Sequence, residues 1–390
     1  MINYYSENGI IPVHQNMPDT DFQQFKFQRM ALYSNLGIQM SLLRGRSILE
    51  FGPGTGDNAR ILSEFHPEIL DLVDGNPSSR DSVLNYIREG KLPDHATSFY
   101  FSDARNFSLT MREKTDVVFE NGYDLVVCEG VINGNSNPAN FLESIQSFVR
   151  PGGMLVLTTV SAWGVLDQAL RRLYKPAVAT KFSSYGDQVK CCSDIFRGHL
   201  RHLPTTKPIE DWVQDAILHP INENYIFSIP EVLEILGDRF TAISSSPRFF
   251  SDFRWHKSLN LKTDNTNLYF LDEFNRIRPM LIDDRYQTIR EVEKFTNMID
   301  VDEVDRIVKE IWNLSCQIWE SNSYKRISEI EILLNQMKEI TRNTLPELCN
   351  AINEFISALP EIVIGNFESD LPTFEKWWGR ALVYLSLQKN

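Results

Sequence analysis

One stretch constrains this chain more than any other: Ser47-Ile48-Leu49-Glu50-Phe51-Gly52-Pro53-Gly54-Thr55-Gly56-Asp57-Asn58-Ala59-Arg60. A short apolar run holds an acid near its end, glycines follow at every second position, and a helical pattern begins after them. Glycines tolerate positive φ, so they suit a tight strand-to-helix turn and let a ligand approach the backbone closely. The helix opening near Asp57 offers unpaired N–H groups and a positive dipole end to an anionic ligand group. Two phosphate-binding patterns fail here. The dinucleotide fingerprint G-x-G-x-x-G/A, started at Gly52 and Gly54, needs Gly or Ala where Asp57 stands, and a P-loop needs Gly-Lys-Ser/Thr after the loop, where no lysine occurs.

Downstream, short apolar runs alternate with helical stretches. Strands are predicted at 47–51, 69–73, 98–101, 123–128 and 154–159, with helices at 58–65, 79–89 and 138–149 between them. Apolar strands of this kind belong to a parallel sheet covered on both faces, and right-handed crossovers make a doubly wound sheet the economical topology. Arg150-Pro151-Gly152-Gly153 reads as a turn into strand five. Residues 229–236 read as a helix closed by Gly237, and 240–244 as a sixth strand.

The pattern Glu-x-Gly-x-Gly-x-Gly resembles the first motif of class I S-adenosylmethionine-dependent methyltransferases. Four later features fall in the same order. Asp74, eighteen residues beyond Gly56 and followed by Gly75, ends strand two where a carboxylate reaches ribose hydroxyls in such folds. Asp103 and Ala104 end strand three, where the resemblance implies contact with adenine. Cys128-Glu129-Gly130-Val131 occupies the place of the fourth motif, bordering cofactor and acceptor, and the Pro-Gly-Gly segment precedes strand five. The resemblance covers residues 47–159 well and 240–246 weakly. It implies a doubly wound, mainly parallel seven-stranded α/β sheet. It also implies S-adenosyl-L-methionine as cofactor, held by Glu50, Gly52, Gly54, Gly56, Asp74, Gly75, Asp103, Ala104 and Glu129.

Residues 22–43 are predicted as a helix ahead of the first strand, with approximate apolar spacing. In such enzymes a leading helix often lies over the cofactor, which makes Tyr4, Tyr5, Arg29 and Tyr33 candidates to face the site, against core packing or solvated surface as the alternative. Residues 163–230 carry no clear strand and are expected to form a substrate cover between strands five and six. Beyond residue 283, apolar positions recur at helical spacing, predicting an antiparallel bundle of amphipathic helices. Trp312, Trp319, Trp377 and Trp378 are expected to serve as core or interface. The segment 381–388 is predicted to return as a seventh strand, with a last bundle helix as the alternative. The expected domains are a cap at 1–46, a cofactor-binding core at 47–160, a cover at 161–230, the remaining core at 231–265, a helical bundle at 266–375 and a final strand at 376–390.

Charge bears on the acceptor. The chain has a net charge of -13, which argues against a general nucleic-acid binder. The Asn-Pro-Pro-Tyr motif of base-amino methylating enzymes is absent, with Glu129-Gly130-Val131-Ile132 in its place. Residues 171–207 carry eight lysines and arginines against two aspartates, a local net charge of +6 that includes Arg197 and Arg201. His199 and His202 lie in the same patch. An anionic acceptor bound there is the expectation, with Glu129, His199 or His202 as base, and neutralisation of the acidic helices as the structural alternative. Residues 283–370 carry eighteen acids and nine bases, a net of -9, which suits a cover or a homo-oligomer surface.

The expected function is methyl transfer to oxygen or nitrogen of a small, anionic metabolite. A methyltransferase for protein or RNA and a non-catalytic cofactor-binding protein are the alternatives. Five cysteines without metal-ligand spacing point to reduced thiols, no metal site and a cytoplasmic location; no secretory signal or membrane span is visible.

Overall fold

The computed structural model describes residues 19–102, 122–203, 207–220, 223–250, 254–258, 266–286 and 299–390. Two compact units divide the chain: residues 1–159, 227–275 and 383–390 in the first, residues 160–226 and 276–382 in the second.

The first unit is a seven-stranded sheet of order β3-β2-β1-β4-β5-β7-β6. Its strands are β1 (Ser47–Phe51), β2 (Ile69–Asp74), β3 (Thr97–Phe101), β4 (Tyr123–Cys128), β5 (Val149–Val160), β6 (Phe240–Ser246) and β7 (Leu382–Lys389). Helices α1 (Asp19–Asn35), α2 (Met40–Leu43), α3 (Asp57–Ser63), α4 (Pro77–Arg88) and α5 (Pro138–Ile145) precede or connect the first five strands. Every residue of β1 is buried, as expected of a strand covered on both faces. It pairs in parallel with β2 on one side and β4 on the other. The chain therefore leaves β1 toward β2 and β3, then crosses to β4, and the order reverses beside β1.

Register places the ends of these strands together. Phe51 lies opposite both Val73 and Cys128, and Asp74 opposite Phe101. Gly52, Asp74 and Glu129 thus follow at one carboxyl edge, at the switch point where open α/β sheets bind ligands. Asp71 would leave an unpaired carboxylate inside the sheet, but Tyr123 Oη donates to its Oδ2 at 2.6 Å.

The leading helix is not continuous. α1 ends at Asn35 because Gly37 turns into the left-handed region at φ +79°, and the Ile38 N–H bonds back to the Tyr33 carbonyl at 2.8 Å. Tyr33, Leu36 and Ile38 join Ile48, Ile61, Leu62 and Leu72 in one buried cluster. The Pro-Gly-Gly segment is a bulge rather than a turn ahead of the strand. Tyr123 pairs with Val149 and Leu125 with Met154, so 150–153 are extruded within β5. A Cβ at Gly153 would lie 2.8 Å from the Tyr123 carbonyl oxygen.

The segment predicted at 381–388 does return to the sheet. β7 runs antiparallel to β6 and lies between it and β5. Thr159 Oγ1 donates to the Val383 carbonyl at 3.2 Å, and Ser386 Oγ to the Leu36 carbonyl at 2.8 Å. Helix α10 (Ile229–Leu236) leads into β6, and α11 (Thr266–Ile277) follows it. Asn267 covers the exposed edge of β6: its amide donates to the Phe240 carbonyl and accepts from the Ala242 N–H, both at 2.8 Å. A side chain thereby occupies backbone groups that an edge strand leaves open.

The second unit is helical: α6 (Ala162–Arg172), α7 (Lys175–Lys181), α8 (Tyr185–Leu200), α9 (Ile209–Ala216), α12 (Val301–Ser321), α13 (Ile327–Thr341), α14 (Pro346–Val363) and α15 (Pro372–Lys376). The cover and bundle, separate domains in the sequence reading, belong to one unit here. Helix α6 is buried almost all round, which marks it as a core helix. Its Gly164 meets backbone directly: a Cβ there would lie 2.1 Å from the Arg380 carbonyl oxygen. Trp312 and Trp377 are fully buried, and Trp377 Nε1 donates to the Ile282 carbonyl at 2.7 Å. The helical pattern expected at 286–299 lies mostly outside the described residues.

Candidate functional site

The glycine loop needs all three of its glycines to be glycines. Gly52, Gly54 and Gly56 have φ of +72°, +56° and +89°. A Cβ on Gly52 would also lie 2.4 Å from Val131 Cγ2, so β1 and β4 approach too closely at this edge for any side chain. Gly56 starts α3 in the left-handed region without a side-chain cap. Asp57, where a third fingerprint glycine fails, is buried and structural. Its oxygens accept from Thr55 Oγ1 at 2.8 Å and Tyr86 Oη at 2.9 Å, which clips the loop to α4.

Asp74 ends β2 with its carboxylate on backbone donors: the Asn76 N–H at 2.9 Å and the Gly54 N–H at 3.4 Å. Burial raises its pKa, against those hydrogen bonds. Gly75 follows in the same turn, and the Asn76 side chain caps α4 by accepting from the Ser78 N–H at 3.1 Å. Asp103 and Ala104 lie outside the described residues, as do Tyr4 and Tyr5.

Glu50 is the least comfortable group at this edge. It is 3 % exposed, and only Oε1 has a partner, the Asn58 amide at 2.7 Å; Oε2 is buried with none. Burial pushes its pKa up to about 8, the Asn58 hydrogen bond opposing. A buried acceptor left without a donor costs about 1–3 kcal/mol, more when charged. A cationic ligand group beside it removes that cost. The sulfonium and ammonium of S-adenosyl-L-methionine are such groups, so the acid under the loop fits the cofactor implied by the sequence.

Around Glu50 the structure assembles a network from five elements. Arg29 of α1 pairs with Glu129 Oε1 just past β4, donates to Asn58 Oδ1 of α3 at 3.0 Å, and reaches Tyr33 Oη at 3.0 Å and Tyr384 Oη of β7 at 3.3 Å. Tyr33 Oη also donates to Glu129 Oε1 at 3.2 Å, and Tyr384 is hydrogen-bonded to Glu129. Of the leading-helix candidates, Arg29 and Tyr33 therefore sit at this edge. Asn58 and Tyr384 were not singled out in the sequence. Asn58 follows the loop with no motif of its own, and Tyr384 is distant in sequence and arrives only with β7.

The other candidates belong to the helical unit. His199 is buried, its ring edge-on to Phe196 at 5.2 Å and Phe374 at 5.7 Å, and Nδ1 has no partner. Burial lowers its pKa to about 2, which makes it a weak proton acceptor near neutrality. His202, Arg197 and Arg201 are exposed, and Arg197 Nη2 lies 3.4 Å from Asp194. Half of the basic patch is used internally. Arg171 pairs with Asp167 and donates to the Phe374 and Trp377 carbonyls, while Arg172 donates to those of Ala216 and His219. Lys175 donates to the Trp319 carbonyl, and Lys207 pairs with Asp215. Those four cations build the fold, which the sequence could not distinguish from a ligand site.

Residues 25–215 match a family model described as a methyltransferase domain. Residues 25–215 are thus a methyltransferase domain of the class I S-adenosylmethionine-dependent kind. S-adenosyl-L-methionine is its cofactor. Among solved structures, this methyltransferase is similar to an arsenic(III) S-adenosylmethionine methyltransferase from Chlamydomonas reinhardtii. Identity is 20 % over 30 % of this chain and 40 % of that one, with a TM-score of 0.26. It is also similar to the N-methyltransferase NodS from Bradyrhizobium japonicum WM9, solved with S-adenosyl-L-homocysteine. There identity is 14 %, coverage 62 % of this chain and 89 % of that one, and the TM-score 0.35. A putative methyltransferase in complex with the Haloferax volcanii Trm112 activator shows 13 % identity, coverage of 70 % and 92 %, and a TM-score of 0.35. No curated protein matches the sequence. Among the described residues, no helix is long and apolar enough to cross a membrane.

Proposed function

We propose that this methyltransferase transfers the methyl group to an oxygen or nitrogen of a small, anionic metabolite. Its cofactor would lie along the carboxyl edge of β1, β2 and β4. Glu50, Gly52, Gly54, Gly56, Asp74, Gly75 and Glu129 would hold it there, with Asp103 and Ala104 as the adenine-side candidates. The single observation that carries the site is Glu50 Oε2, a buried carboxyl oxygen without a hydrogen-bond partner beneath a loop of three left-handed glycines. Bound there, the cofactor would supply a sulfonium methyl carbon as the electrophile for the acceptor atom. Asp74, already fixed by backbone donors, has the acceptor-only oxygens that ribose hydroxyls require. Glu129, oriented by Arg29 and Tyr33, is the candidate base at this edge, and receives the proton that a hydroxyl or ammonium acceptor must lose. The anionic preference rests on Arg197 of α8 and Arg201 just past its end, both exposed.

Transfer of label from methyl-tritiated cofactor to a metabolite panel tests the assignment. Asp74→Ala should weaken S-adenosyl-L-homocysteine binding at least about tenfold, the loss of one good charge-assisted contact. Arg197→Glu with Arg201→Glu should raise the acceptor KM and leave cofactor affinity unchanged. Cofactor binding with no transfer to any acceptor would point to the non-catalytic alternative, and an unchanged KM would remove the anionic preference.

A further inference from the structure

Arg29 is a costly residue to bury unless its position is used. It is 7 % exposed on α1, yet its guanidinium contacts Glu129, Asn58, Tyr33 and Tyr384, which come from four different places in the first unit. Surface ion pairs contribute little, but a desolvated, multidentate guanidinium fixes whatever it touches. Two of its contacts lead to the acid under the glycine loop. Asn58 Oδ1 accepts from Arg29 Nε while Asn58 Nδ2 donates to Glu50 Oε1, so Arg29 sets the amide orientation that Glu50 sees. Glu129 repels a charge on Glu50, and Arg29 offsets part of that repulsion.

Resting on the cofactor site proposed above, we propose that Arg29 is a positioning residue for the cofactor, acting through Asn58 and Glu129 to keep Glu50 able to take up a cationic ligand group. It touches no ligand in this role. The groups facing Glu50 are Arg29 and Tyr33 from α1, Asn58 from α3, Asp74 at the end of β2, and Cys128 with Glu129 at the end of β4. Beyond burial and the Asn58 hydrogen bond, Glu129 and Asp74 disfavour the charged form of Glu50 and Arg29 favours it.

The sign of each substitution follows. A Glu50 that is protonated in the free protein near pH 7 must give up a proton when a cation binds beside it. Removing Arg29 strengthens that protonation, and neutralising Glu129 weakens it. Two variants in one ion pair are therefore expected to act in opposite directions, which loss of packing alone does not produce.

The experiment is calorimetry of S-adenosyl-L-homocysteine binding at pH 8 in two buffers of unequal ionisation enthalpy, which counts protons released on binding. At that pH the Glu50 carboxyl is near its midpoint, so the count can move either way. The wild type, Arg29→Met, Arg29→Lys and Glu129→Gln are compared, with melting curves as folding controls. Wild type is expected to release about half of one proton at pH 8, and to bind up to about tenfold more tightly per pH unit between pH 5.5 and 7.5. Arg29→Met should release more, Glu129→Gln less, and Arg29→Lys should return toward wild type. If Arg29→Met does not fold, a reduced count in Glu129→Gln still carries the test. Equal counts in all variants, or shifts in the same direction for Arg29→Met and Glu129→Gln, would overturn the role of Arg29. Failure of wild type to bind the probe at any pH would instead remove the cofactor site itself.

Discussion

At the scale of single residues, the glycine loop separates two effects that usually travel together. Gly45 and Gly52 both sit at positive φ, +66° and +72°, but a Cβ on Gly45 meets nothing within 4 Å while one on Gly52 meets Val131. Gly45→Ala should therefore cost only the backbone term, about 1–2 kcal/mol. Gly52→Ala should cost more and weaken S-adenosyl-L-homocysteine binding, and adding Val131→Ala should recover part of both. Melting curves and calorimetry of the two single variants and the double variant check this. Equal losses for Gly45→Ala and Gly52→Ala would show that the close approach of β4 does not matter. The glycine spacing was legible in sequence because it is local. That Val131 fills the space above Gly52 was not, because it depends on the register between β1 and β4.

Among elements, α6 shows how the helical unit buries charge alongside apolar packing. Burial pushes the Asp167 carboxyl up and the Arg171 guanidinium down, so the cost of leaving water outweighs the attraction between them. Arg171 nevertheless satisfies the Phe374 and Trp377 carbonyls and stacks 3.9 Å from the Trp378 ring centroid. Arg171→Met should destabilise by about 3–5 kcal/mol, because it strands Asp167 and two carbonyls. Pairing it with Asp167→Asn should recover a substantial part. Denaturant unfolding of the single and double variants measures the difference; equal stability for both would mean that Asp167 carries no buried charge. In the sequence, Arg171 and Arg172 counted toward a basic patch. Only the packing of α6 on all sides shows that they are core residues.

For the molecule as a whole, acid sensitivity follows from two buried histidines. Burial lowers His199 from 6.5 to about 2 and His219 from 6.5 to about 4. The unfolded chain binds protons at both sites as pH falls through about 6.5, and the folded chain does not, so stability is present above that pH and declines below it. Between pH 7 and pH 5 the loss at each site approaches about 2 kcal/mol. His199→Phe keeps the edge-on packing against Phe196 and Phe374 and should flatten the fall in melting temperature over this range. An unchanged slope would show that His199 is not buried neutral in solution.

The sequence by itself determined the strand–glycine–helix turn, the alternation that makes a doubly wound sheet, and Asp74 and Glu129 at strand ends. Each depends on spacing within a few residues or on a pattern of short apolar strands. The sequence left the last segment open between strand and helix, which the pairing of β7 with β6 decided. Tertiary structure alone decided which charges serve a site and which serve the core. It set Arg29, 100 positions from Glu129, beside it, gave Asn58 its link to Glu50, and brought Tyr384 in from the last strand. It also consumed half of the basic patch. The physical reason is that the fate of a charge is set by its desolvation and its partners, and neither exists until distant elements pack.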